Sequence, residues 1–114
     1  MATLEELHVN IRNAMAAFNL RRAAILQKAF EEGGDDLVLA LEGEFDAMRD
    51  ARFEIVQREF DENNDEFAEV AERAKTQAEA IEASVNSLTS TQTVLEDIGA
   101  FLNTAGRLVM LFGL

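Results

Sequence analysis

The sequence contains no cysteine, proline, tryptophan or tyrosine, and its 114 residues include a single histidine, His8. Without cysteine there are no disulfides and no thiolate metal ligands, so cysteine usage leaves the redox compartment open. One histidine excludes a multi-histidine site within one chain, and no nucleophile lies beside a base in the sequence. Glu5-x-x-His8 matches half of the carboxylate–histidine pattern of di-iron bundles, but such sites need further ligands that only another chain would supply. The absence of Trp and Tyr removes common anchors of recognition surfaces and leaves eight Phe as the whole aromatic content. Glycine is scarce too, with six in all and none between Glu44 and Ile98. Nothing of the usual kind therefore interrupts a helix across that stretch. Gly33-Gly34 lacks the strand, lysine and hydroxyl pattern of a phosphate loop. The composition points to a non-enzymatic protein with no cofactor.

The net charge is −12 and is unevenly spread. Residues 1–30 carry a net +2, residues 31–75 a net −11 and residues 76–114 a net −3. So acidic a surface repels a phosphate backbone, which excludes nucleic acid as a partner. A basic first segment beside an acidic second one favours docking of the two. Residues 1–10 hold Glu5 and Glu6 where a secretory signal would carry basic residues and then an apolar run, so no signal peptide is expected. No stretch offers the roughly 20 apolar residues of a membrane-spanning helix. Localisation stays unassigned.

What is present is periodicity. Thr3-Leu4-Glu5-Glu6 is a capping-box pattern, and apolar residues then recur at three- and four-residue steps. A first helix is predicted over about 3–31, followed by a Gly-Gly turn at 33–34. From there one phase of seven stays apolar: Phe53, Phe60, Phe67, Ala74, Ile81, Leu88, Leu95, Leu102 and Val109. Such a column predicts a long second helix over about 36–112, with 87–93 as the place for a break; the capping residues of 61–66 offer another, but the phase runs through them unbroken and favours continuity there. As one helix, 44–98 would span about 80 Å. A compact chain of this length is roughly 35 Å across. The pattern therefore predicts an all-α protein: an antiparallel helical hairpin whose long second helix forms an oligomeric coiled coil or helical bundle. The seam would comprise Phe53, Phe60, Asn63, Phe67, Val70, Ile81, Leu88, Leu95, Ile98, Leu102 and Val109, with Asn63 setting register.

Two further stretches stand out. Asp61, Asn63, Asp65 and Glu72 carry oxygen ligands at the first, third, fifth and twelfth positions of a calcium loop, although the turn glycine is replaced by Glu66. The run 108–114 has no charged side chain and offers Leu108, Met110, Leu111, Phe112 and Leu114 as a contact. An apolar run of this kind is expected to be covered by a copy of the chain, by another protein or by lipid. The sequence thus supports a self-assembling scaffold, spacer or subunit of a larger assembly first. A membrane-docked helical protein using the C-terminal run comes second, and a compact four-helix bundle binding a metal or small ligand third.

Overall fold

The computed structural model describes residues 3–88 and 90–114; Thr89, within the expected break at 87–93, lies outside them. Four helices make up these residues, with no strand among them: α1 (Leu4–Leu20), α2 (Arg22–Val56), α3 (Asp65–Ser87) and α4 (Thr91–Phe112). α1 starts where Thr3 caps it, the Thr3 hydroxyl accepting from the Glu6 N–H at 3.1 Å. Only Arg21 separates α1 from α2, and its N–H still donates to the Ala17 and Phe18 carbonyls. The sharp change of direction comes inside α2. Gly34 has φ 69° and ψ −160°, a conformation that glycine alone adopts readily, and it divides α2 into arms at 22–33 and 35–56.

Side-chain pairings give the direction of each element. Phe18 stacks on Phe45 with ring centroids 4.4 Å apart, and Arg22 meets Glu42 at 3.3 Å, so the second arm of α2 runs back along the first helix. Lys75 pairs with Glu6 at 3.5 Å and Arg21 donates to Asn86 at 3.1 Å, so α3 runs alongside α1 in the same sense. Thr91 at the start of α4 donates to Glu32, and the Leu114 N–H donates to the Glu59 carbonyl. α4 therefore descends beside the second arm of α2. The result measures 46 × 21 × 18 Å, with a Cα radius of gyration of 14.2 Å.

A continuous helix over 36–112 is not what the chain forms. It stops at Val56 and at Ser87, and the seam closes on itself within one chain. The cause at 57–64 is local hydrogen bonding that competes with the helix. Asp61 Oδ1 accepts from the Asn63 N–H, and Asn64 Oδ1 accepts from the Phe67 N–H, each at 3.0 Å, which starts α3 afresh. At the second turn Leu88 adopts a left-handed conformation (φ 48°), Lys28 Nζ donates to its carbonyl, and Ser90 caps α4 by accepting from the Thr93 N–H. Thr93 therefore lies in the first turn of α4, with its N–H bound by the Ser90 cap.

The apparent heptad column also resolves into separate phases. Leu41, Met48 and Ile55 are buried in α2, Phe67, Ala74 and Ile81 in α3, and Val94, Phe101 and Leu108 in α4. Each triplet keeps steps of seven, but the phase shifts at both turns. Leu95, Leu102 and Val109, together with Phe60 and Leu88, are half-buried at the margins of the core, while Val70 and Ile98 lie within it. Phe53 is 63% exposed and does not belong to the seam. Asn63 is exposed in the turn, so it sets no register; the Asx turn that uses its backbone N–H keeps it out of the helix.

Gly34 and Gly43 separate the two uses of glycine here. Gly34→Ala forces a side chain into the strained conformation and should lower stability by about 1–3 kcal/mol. Gly43→Ala, at an exposed helical position with no atom within 4 Å of the added carbon, should raise it by about 0.5–1 kcal/mol. Urea unfolding of both variants checks this, and effects of equal sign would contradict the turn at Gly34.

Candidate functional site

One end of the bundle gathers the start of α1, the 57–64 turn and the last turn of α4. The Leu4 N–H donates to Glu62 Oε1 at 2.8 Å, and the Leu114 N–H to the Glu59 carbonyl at 3.1 Å, tying the start of α1 and the end of α4 to one loop. Beneath it lies a phenylalanine cluster. Phe60 stacks on Phe67 at 5.1 Å, and Phe112 meets Phe67 edge-on at 6.0 Å. Phe67 is fully buried, held by its place in the first turn of α3 next to the Asn64 cap.

A cleft of about 260 Å³ opens above this cluster, lined by Asp61, Asn64, Phe67, Leu111, Phe112, Gly113 and Leu114. Gly113 allows the chain to cross here: a Cβ at that position would sit 2.6 Å from the Val109 carbonyl oxygen and 2.9 Å from Arg58 Cδ. The polar lip is ordered by the same bonds that end the helix, because Asp61 and Asn64 each engage a backbone N–H. Leu111 and Leu114 in its wall are 59% and 80% exposed, and Met110, in the same last turn of α4, is 77% exposed. Leu108, grouped with them by sequence, is buried in the core, and Phe112 is half-buried against Phe67. The C-terminal run thus splits by helical face into residues the bundle absorbs and residues it leaves outside.

The turn also carries most of the local charge. Residues 57–72 hold seven carboxylates against Arg58 alone, and Arg58 is paired with Glu54 at 2.8 Å. Asp61, Asn63 and Asp65 do lie together in this exposed stretch. They do not form a calcium loop with Glu72, because α3 has already begun at Asp65 and Glu72 lies two turns up the helix. Among the described residues no three His, Asp or Glu side chains converge as a metal site requires. No described helix is long and apolar enough to cross a membrane. A second, more open groove between α1 and α3 is lined by Asn13, Ala16, Ala17, Leu20, Glu82 and Asn86.

Sequence reasoning singled out Asp61 and the C-terminal run for separate reasons and did not bring them together. Gly113 was not singled out at all, and Asn64 only as one of the capping residues of 61–66, where the unbroken phase of seven argued for continuity. The available signal was Asn63-Asn64-Asp65-Glu66, a cap followed by first-turn acids, which marks a helix start. No protein-family model, curated protein or solved structure matches the chain.

His8 sits at the same end in a different setting. Its Nδ1 is buried without a hydrogen-bond partner, and Arg52 and Glu62 are the charges that act on it. Burial, with help from Arg52, holds its pKa below the usual 6.5, and Glu62 opposes them. The unfolded chain therefore takes up this proton first as pH falls. The contribution of a neutral His8 is complete above pH 6.5 and declines below it. Urea midpoints measured from neutral to mildly acidic pH should show the parent losing stability more steeply than His8→Gln. Parallel loss in the two proteins would contradict a depressed His8 pKa.

Proposed function

We propose that the chain is a non-enzymatic interaction protein, a subunit of a larger assembly that makes its contact through the end of the bundle formed by the 57–64 turn and α4. The observation that carries this reading is the exposure of Leu111 and Leu114, which line the Phe67–Phe112 cleft, with Met110 exposed in the same last turn of α4. Phe53 and Val56, 63% and 53% exposed, finish α2 toward the same end. Five of the nine exposed large apolar side chains among the described residues thus concentrate there. Clustered apolar side chains rimmed by polar groups are a common mark of a contact surface. Leaving each of them in water forgoes about 1.5–3 kcal/mol of burial, which a partner recovers.

Composition supports the non-enzymatic part, since one histidine and no cysteine give little material for acid–base or nucleophilic chemistry. An oligomer built through the heptad seam has lost its main support, because Phe67, Val70, Ile81 and Ile98 are already covered within the chain. Self-association would have to use the exposed end instead. The exposed leucines also suit a membrane surface, but the carboxylates beside them face the negative charge of common lipid leaflets. That reading is the weaker one.

A benzophenone side chain introduced at Leu111, with one at Leu20 as a control, tests the assignment in the chain expressed in its own host. Leu20 is 84% exposed on α1, so it samples the solvent equally well. Photolysis should give a discrete protein adduct from position 111 that is missing from position 20. Identical adducts at both positions, or none at 111, would contradict the reading.

A further inference from the structure

We infer that the cleft between the 57–64 turn and α4 docks a basic, amphipathic segment of another protein, with an apolar side chain inside the cleft and lysine or arginine on its rim. This rests on the contact surface proposed above and adds the chemistry of the partner. Three observations converge on it. The first is size. At about 260 Å³ the cleft falls below the roughly 300–1,000 Å³ of typical small-molecule sites, and it has room for an apolar side chain or two. Its walls suit that occupant, with Phe67 and Phe112 beneath and Leu111 and Leu114 beside it.

The second is charge. Asp61 lines the cleft itself, and Glu59, Glu62, Asp65 and Glu66 are exposed on the same turn or in the first turn of α3. Arg58, the cation in this stretch, is paired with Glu54. A partner carrying cations next to its apolar anchor is matched on both counts, whereas a second copy of this chain docked through the same end brings the same carboxylates and is repelled. An anionic bilayer is repelled for the same reason.

The third is preorganisation. Asp61 Oδ1 is held by the Asn63 N–H and Asn64 Oδ1 by the Phe67 N–H, so the lip is fixed before anything binds. Little ordering remains to be done on this side of the contact. An amphipathic helix laid across such a site would present one apolar residue per turn or two, with its charged face toward the acids.

A labelled amphipathic peptide of about 14 residues, built from leucine and lysine at helical spacing, is the probe, and fluorescence anisotropy with the full chain is the readout. A leucine–glutamate peptide of the same pattern and phosphatidylserine vesicles serve as competing occupants. Binding of the lysine peptide should weaken by about tenfold in Leu111→Ser, and by about as much in Asp61→Asn/Glu66→Gln. The double variant Asp35→Asn/Asp36→Asn removes the same charge at the opposite end and should bind as the parent does. Circular dichroism and the melting transition confirm that each variant is folded. Should one unfold, Leu114→Ser or Asp61→Asn alone takes its place. Equal weakening in both double variants would show attraction to overall charge and overturn the site. Absent binding, or preference for the glutamate peptide or the vesicles, would overturn the partner's chemistry. If the adduct from position 111 persists in that case, the contact surface stands and only its partner is wrong; if both fail, the surface itself is wrong.

Discussion

The side chains of Asp61 and Asn64 bind the backbone N–H groups of Asn63 and Phe67, and so offer the chain an alternative to another turn of helix. Everything larger depends on that competition. An uninterrupted helix through this stretch would lay the apolar positions along a rod far longer than a small globule and leave them for other chains to cover. Once the helix ends, the second half of the chain returns along the first. Phe67 then meets Phe60 across the turn and Phe112 from α4, joining three segments in one cluster. The seam is buried without a partner, and the core runs the length of the bundle from Leu7 and Ile55 to Ile25 and Leu41.

The same constraint shapes the surface. Helix-stopping residues here are largely acidic or amide side chains, so the turn that closes the bundle and the first turn of α3 together gather five carboxylates between residues 59 and 66. α4 ends against this turn, anchored by the Leu114 N–H on Glu59 and by the close crossing at Gly113. Its broad apolar face is wider than the core can absorb. Phe101 and Leu108 go inward, Leu102 and Val109 fill the margin, and Met110 and Leu111 stay outside. An apolar surplus next to an acidic turn follows from how the chain folds, and the proposed contact is built on it.

Helical content was legible in the sequence because three- and four-step spacing and the Thr3 and Gly-Gly signals are local. The reversal at Gly34 was legible for the same reason. Helix continuity was not. Nine apolar residues in one phase of seven implied a single seam, yet α2, α3 and α4 bury different phases. The column survived in the sequence because α4 is apolar at two adjacent phases, so Leu95, Leu102 and Val109 mimicked a continuation whose buried members are Val94, Phe101 and Leu108. Phe53 fell in the column by coincidence and faces solvent. The candidate site was only half legible. Charge and apolarity are properties of composition, but their meeting at one cleft depends on two turns whose outcome is decided by tertiary packing.

The central claim is that one chain covers its own seam. Small-angle X-ray scattering of the purified protein, extrapolated to low concentration, tests this directly. The account predicts the mass of a single chain and a compact particle, its radius of gyration close to the 14.2 Å of the Cα trace. A multimer with the cross-section of a few helices and a length approaching about 80 Å would contradict it, and would restore the continuous coiled coil.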